Sequence, residues 1–578
     1  MNARYAVSLV LNMHLPYVRA PAAGSQKDPR TMPSEPSVAE EPIPVEDPEL
    51  AEQPLAEVVQ PSADAPAWEE SPPEEINLIP ATVEESWFFE TLSETCLPLL
   101  LLFDRLEADH VPFHLGISLS PIFAQMLGDN LLQKKYAVYL EHQIDFGKQE
   151  MERLNNDPDM ALLAKRCHEQ AIERYIAFTS RYEGNLFKAF DHYQRKRKIE
   201  FLAAPATYAF LPFLCPHPES VQAQIETALS YYRYSLGINP LGFWLPELGW
   251  SKELDPFLRS YGFTYTITDS HGFIFGNPPP ERGVFFPVRT PQGILVLARD
   301  FFACSGIAGM RKEGPYRDNG RDIGYELPKE NLGLFLAQNG ARCQTGYKYW
   351  KEDGTLYDPA LAQAAAAEHA RVFLDDCCGR MDSALQHIKE FPISLCAFNA
   401  DSFGRHWYEG PHFLESLFRL AADYPQIRFM TPSDYLYQQQ ISAFEVSLPG
   451  FSSWGDNGYA ETWVDSSNDW IYRHLNRAID RMVELADRFS RNSNLKERAL
   501  NQAAREVLLA MASDWPAFLY RQECTGYARN QVEDALRNFT TIYEALGSNY
   551  ISTEWLTSLE RQHNVFPDIN YRVFRRKR

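Results

Sequence analysis

Short, nearly continuous apolar runs alternate with long amphipathic stretches through most of this chain. Residues 4–12 (Arg-Tyr-Ala-Val-Ser-Leu-Val-Leu-Asn) form the first such run and lead into His14-Leu15-Pro16-Tyr17. A run apolar at successive positions, not at alternate ones, suits a strand buried on both faces, the usual state in a parallel sheet. From Trp87 to Lys198 the periodicity is mostly helical, as in Leu131–Leu154 and Ala161–Tyr182. Strands are then expected at Ile199–Ala204, Gly242–Leu245, Phe263–Thr268, Ile294–Ala298, Ile393–Phe398 and Arg428–Met430. Each is followed by loop chemistry or a helix start, and Thr431-Pro432-Ser433 is a strong helix entry. Strands alternating with helices predict a parallel α/β barrel, in which working residues sit at the C-terminal ends of strands. His14, Glu247, Asp269 and Asn399 all fall there. From about Ser466 the pattern is helical, with helices expected at Asp469–Phe489, Leu495–Ala512 and Tyr527–Leu546.

Composition changes this picture in one place. Residues 20–80 hold 13 of the 40 prolines and 14 acidic residues against Lys27 and Arg30, a net of −12 within a whole-chain net of −22. Such a segment cannot bury enough apolar surface to offset its ordering entropy and is expected to be a disordered insert. The organisation expected is therefore a barrel domain from 1–19 and 81–435, the acidic Pro-rich insert at 20–80, and a helical domain at 436–578 ending in a basic tail. The net charge argues against nucleic acid as partner. Nine cysteines without zinc-like spacing read as free thiols in a reducing, cytoplasmic setting. The run Tyr5–Leu11 is too short to span a membrane. No HExxH metal pair, GxxxxGK[ST], GxGxxG or GxSxG occurs, so neither a metal nor a nucleotide cofactor is expected.

The remaining chemistry is carboxylate chemistry. Cleaving a glycosidic bond with retention needs two carboxyl groups about 5–5.5 Å apart, one attacking the anomeric carbon and one protonating the leaving oxygen. Glu247 follows the apolar Gly242-Phe243-Trp244-Leu245-Pro246 and is the first candidate; a helix cap or ion-pair partner is the plain alternative. The second candidate stretch is Leu395-Cys396-Ala397-Phe398-Asn399-Ala400-Asp401. Asn399 cannot donate an acidic proton, and Asp401 lies two residues beyond it. His14 and Asp269-Ser270-His271 could bond sugar hydroxyls. Trp454 and Trp463 lie in a glycine-bearing loop, where large rings are less often core and could stack on sugars.

Taken in order, these stretches resemble the motifs of glycoside hydrolase family 57, in its α-1,4-glucan branching-enzyme group. The resemblance rests on His14-Leu15-Pro16-Tyr17-Val18-Arg19, Gly242–Glu247, Phe263–Gly272 and Trp407-Tyr408-Glu409-Gly410-Pro411. Ser453-Trp454-Gly455 and Ser513-Asp514-Trp515-Pro516 add to it. It implies an incomplete (β/α)7 barrel with helical insertions, a C-terminal all-helical domain, no metal, and α-1,4-glucan as substrate. It implies Glu247 as nucleophile and His14, Trp454 and Trp463 as glucan contacts; Trp244, Asp269, His271 and Trp407 are further candidate contacts. A protein partner for the acidic insert is a further expectation.

Three departures from the family pattern stand out. The family's acid is an Asp where this chain has Asn399, with Asp401 at the following Glu position. A Thr-His-Gly becomes Thr207-Tyr208-Ala209, so Tyr208 replaces a substrate-contacting His. The usual His-x-His-Leu-Pro opening reads Asn12-Met13-His14-Leu15-Pro16. A positioned general acid is worth about 10²–10⁴-fold, so the expectation is weak or lost turnover on a retained glucan-binding scaffold. Altered activity through Asp401 and a non-catalytic role in glycogen metabolism are the alternatives.

Overall fold

The computed structural model describes residues 3–19, 82–489 and 494–577. The expected acidic insert, and with it the partner expected to dock there, lies outside the described residues.

The core is mixed α/β. Strand β1 (Tyr5–Met13) is buried at all nine positions, as its unbroken apolar run requires. It pairs in parallel with β2 (Leu115–Leu119), with β8 (Ile393–Asn399) and, at its start, with β9 (Ile427–Phe429). β2 in turn pairs in parallel with β3 (Ile199–Leu202). A second sheet runs β10 (Glu445–Val446), β6 (Val288–Arg289), β7 (Leu295–Ala298), β5 (Tyr265–Thr268), β4 (Gly242–Phe243). Only the β6–β7 pair is antiparallel. Single parallel bridges join the two sheets, Ala203 after β3 to Phe243 of β4, and Arg299 after β7 to Leu395 of β8.

Side-chain alternation, with its period of two, divides each strand between two cores. Ala6 and Val10 of β1, Tyr265 and Ile267 of β5, and Ile393, Leu395 and Ala397 of β8 face one inner cluster, closed at one end by Tyr208 and Trp244. Tyr5, Val7, Leu9, Leu11 and Met13 face the opposite way, into the larger core shared with the surrounding helices. The register pairs Asn12 with Asn399 at the C-terminal ends of β1 and β8.

The strand expectations hold to within a residue or two, and Thr431 caps the helix Pro432–Gln438 by accepting from Asp434 N. Residues 87–198 are mostly helical, as expected, but they also hold the unexpected strand β2: Leu-Gly-Ile-Ser-Leu inserts between β1 and β3, where Gly116 leaves only 3.2 Å between an added Cβ and both Val10 and Leu202. One expectation needs correction. The span 436–578 is not helical from its start. β10 pairs with β6, and Trp250 bridges Ser452, so this segment stays with the sheets.

Helices then run Trp470–Arg488, Asn494–Ala510, Asp514–Arg521, Thr525–Ser548 and Thr553–Gln562. The first buries Ile471, Leu475, Ala478, Ile479, Met482, Val483 and Ala486, the i, i+3/i+4 stripe of an amphipathic helix packed on a core. Two buried hydrogen bonds tie this helical region to the segment after β3. Thr207 Oγ1 donates to Leu508 O at 2.5 Å, and Ser513 Oγ donates to Tyr208 O at 2.7 Å. No described helix is long and apolar enough to cross a membrane.

Candidate active site

The C-terminal ends of β1, β4 and β8 and the start of helix Asp514–Arg521 enclose a cavity of about 410 Å³. Its walls include Asn12, His14, Tyr208, Glu247, Asn399, Asp401 and Asp514.

Glu247 reaches this cavity from a strained turn. After β4 the chain passes Trp244, Leu245 and Pro246 and then takes positive φ at both Glu247 (59°) and Leu248 (52°). Two successive non-glycine residues in this region cost of order 1–3 kcal/mol each and persist only where surroundings over-determine them. Here Trp454 does so twice. Its backbone N donates to Glu247 O at 2.9 Å, and its indole Nε1 donates to Glu247 Oε2 at 2.5 Å. The next residue, Gly249, passes so close to Phe210 that an added Cβ would lie 2.4 Å from the ring. Burial pushes the Glu247 carboxyl above its ordinary range; the Trp454 donation opposes this, and Asp514 adds to the rise.

Trp454 is itself braced from behind. The Arg299 guanidinium lies over its ring, 5.6 Å from the centroid, and Arg299 Nη1 donates to Asp269 Oδ2 at 3.0 Å. His271 Nε2 donates to Gly458 O at 2.6 Å, fixing the loop that carries Trp454. Asp269 and His271 therefore support the site from outside the cavity.

Across the cavity Asn12 bonds to both of the other departures from the family pattern. Asn12 Nδ2 donates to Tyr208 Oη at 2.7 Å and to Asn399 Oδ1 at 2.9 Å. Trp244 Nε1 donates to the same phenol oxygen at 3.1 Å. Tyr208 also has positive φ, 58°. His14 stacks on its ring at 3.7 Å between centroids and 14° between planes. Both His14 nitrogens are engaged: Nδ1 lies 2.9 Å from Ser120 Oγ, and Nε2 donates to Asp514 Oδ2 at 3.0 Å. Asp401 Oδ1 accepts from Thr95 Oγ1 at 2.8 Å, and its other oxygen faces Arg405 Nη1 at 3.9 Å.

The remaining sequence candidates are enclosed. Trp244 has no exposed surface. Trp407 packs against Tyr316, Phe403 and Phe413. Trp463 stacks on Phe210 at 4.5 Å, and Gly455 passes so close that an added Cβ would lie 2.6 Å from the indole. Of the four candidate tryptophans only Trp454 is part-exposed beside the cavity. Asp514 and Ser120 are site residues that sequence reasoning did not single out. The Ser513-Asp514-Trp515-Pro516 match was the available signal for the first. Among the described residues no group of three or more His, Cys, Asp or Glu side chains could hold a metal ion.

Comparison with known proteins identifies the scaffold that carries this site. Residues 74–301 match the model of glycosyl hydrolase family 57, and residues 474–574 match that of the 1,4-α-glucan branching enzyme C-terminal region. The chain is 25% identical over 521 residues to a 1,4-α-glucan branching enzyme of Thermococcus kodakarensis, covering 83% of this chain and 74% of that one. Its fold matches the α-amylase AmyC of Thermotoga maritima with TM-score 0.82 and 30% identity over 100% of both chains. It matches the family 57 branching enzyme of Pyrococcus horikoshii with TM-score 0.79 and 22% identity, over 100% of this chain and 97% of that one. The mixed α/β core and helical C-terminal region are those of a glycoside hydrolase scaffold. This chain belongs to glycoside hydrolase family 57.

Proposed function

We propose that the protein binds α-1,4-glucan in this cavity as a branching-enzyme-like member of its family whose proton-transfer step is disabled. On this reading Glu247 is the nucleophile, Asn399 stands in the acid position, and Trp454 both orients Glu247 and offers a ring face to the sugar. The same reading takes β1, β2, β3, β4, β5, β7 and β8, parallel and joined through the two single bridges, as an incomplete (β/α)7 barrel.

One observation carries it: Asn399 is bonded to Asn12, which is bonded to Tyr208. A branching reaction needs one group to protonate the departing glucan and then to deprotonate the incoming 6-hydroxyl. An amide does neither. Two neighbouring groups that could take over, Asp401 and His14, are committed elsewhere; His406 also lines the cavity. Asp401 is held by Thr95 and faces Arg405, and His14 uses both nitrogens. Two residues along a strand also displace a side chain by about 6–7 Å, whereas rates respond to about 1 Å. Losing the acid costs about 10²–10⁴-fold, or roughly 3–5.5 kcal/mol of barrier. The engagement of the alternative donors favours a glucan-binding role within glycogen-type metabolism over altered turnover through Asp401.

The test is incubation with amylose, following loss of the iodine complex, new branch points and new reducing ends, beside an Asn399→Asp variant. Robust branching by the unaltered protein sinks this reading. New reducing ends without branches would make water the acceptor, an activity suited to an α-amylase.

A further inference from the structure

The two halves of the cavity are unequal in a way that selects a class of donor. Glu247 keeps everything an attacking carboxylate needs: a fixed turn, a single indole donor on one oxygen, and access to the cavity. The facing wall, Asn12, Tyr208 and Asn399, is a hydrogen-bonded set of neutral groups. Such a wall can hold a glycosidic oxygen but carries no carboxylic acid to protonate it, and burial pushes the Tyr208 phenol well above its ordinary range. Sugar alkoxides leave poorly without a proton, whereas leaving groups stable as anions need none.

Resting on the assignment of Glu247 as nucleophile in a glucan-binding cavity, we propose that the protein transfers glucosyl units only from α-glucosyl donors whose leaving group departs as a stable anion, and accumulates a covalent glycosyl ester on Glu247. With α-maltosyl fluoride, a Glu247 oxygen attacks C1 with an electron pair, and the C1–F bond breaks with its pair leaving on fluoride. The product is a maltosyl ester. For its hydrolysis, water must bond to C1 and lose a proton while the ester C1–O pair returns to Glu247. Position 399 has no carboxylate to take that proton, so this step is slow. Azide carries no proton to lose. It attacks C1 directly, releases the Glu247 carboxylate and gives maltosyl azide of retained configuration.

The experiment measures fluoride release from α-maltosyl fluoride, the intact mass of the protein, and affinity for maltoheptaose by calorimetry. The expected result is a burst of about one fluoride per chain, a mass gain of one maltosyl residue, and at least about tenfold faster turnover with azide. Glu247→Gln should bind maltoheptaose but release fluoride only at the background rate. Asn399→Asp should lose the burst and the azide response, because a carboxylate at 399 activates water and repels the anion. Fluoride release no faster than Glu247→Gln, with maltoheptaose affinity intact, overturns the inference and leaves the glucan-binding reading standing. Absence of maltoheptaose binding overturns that reading itself. Cleavage of maltoheptaose by the unaltered protein overturns the claimed need for an anionic leaving group, and its loss in His406→Ala would identify His406, which lines the same cavity, as the proton source.

Discussion

The wall built on β4 and the wall built on β1 and β8 share one cavity but differ in what holds them. On the β4 side the chemistry and the backbone depend on each other: Glu247 is in a left-handed turn that Trp454 fixes through both its backbone and its indole. On the β1–β8 side position comes from strand register, which pairs residue 12 with residue 399 whatever their side chains. Backbone ladders are indifferent to side-chain charge. That wall can therefore change from ionisable to neutral without moving, provided its members change together. Asn12 touching both other departures is the structural form of that condition.

The largest effect should come from restoring charge to the register-held wall. Asn399→Asp is expected to raise cleavage of maltoheptaose by up to about 10²–10⁴-fold, the usual contribution of a positioned acid. Reducing-end assays at matched protein concentration measure it, and no gain would mean that position 399 is not the missing element.

On the opposite wall, Trp454→Phe removes the indole donor while keeping the ring. A hydrogen bond to a charged acceptor is worth about 1.5–3 kcal/mol, which corresponds to about one to two pH units. Burial already raises the Glu247 carboxyl, and the indole lowers it. Without the indole the group rises further. Because Glu247 must be ionised to attack, fluoride release should rise with pH through its pKa, and that limb should move to higher pH in Trp454→Phe. The linkage to stability has the opposite slope. A carboxyl raised in the folded state binds more protons folded than unfolded, so its stabilising contribution is full below its unfolded value and declines as pH rises through the raised one.

Much of this fold is legible from the chain because the strands that line the site are dense apolar runs ending in chemistry: β1 before His14, β5 before Asp269, β8 at Asn399. β2 was not, since five residues between two helical stretches carry too weak a periodicity, and β6 and β10 are two residues each. Within the site, Glu247 and the three departures could be found from motif order. Their mutual contact could not, because Asn12 and Asn399 are 387 residues apart and meet only through parallel pairing. The pairing of His14 with Asp514 spans 500 residues and needs the helical region to dock. Nor does a tryptophan's sequence context separate the part-exposed Trp454 from the enclosed Trp463. Only Phe210, arriving from another loop, decides that.

If the three departures form one unit, their reversions should not add. Asn12→His, Tyr208→His and Asn399→Asp, made singly, in pairs and together, should show interaction energies of about 0.5–3 kcal/mol in kcat/KM for maltoheptaose, as expected for residues in one network. The triple variant should exceed Asn399→Asp alone. Strict additivity would mean that Asn12 is a bystander to position 399, and the contrast between the two walls would reduce to one substituted residue.

The smallest effect concerns the seam that presents the neutral wall. Ser513 Oγ donates to Tyr208 O in a buried contact between the helical region and the strand ends. Ser513→Ala leaves that carbonyl short of one donor, at a cost of about 1 kcal/mol. Thermal unfolding should therefore show a decrease of a few degrees or less in Tm. More telling is which wall responds. Tyr208 holds its left-handed backbone beside this bond, and its phenol is the acceptor for Asn12. Loosening it should weaken maltoheptaose binding and lower any activity regained through Asn399→Asp, while leaving the pH limb set by Glu247 and Trp454 unmoved. A shift of that limb in Ser513→Ala would show that the two walls are mechanically one.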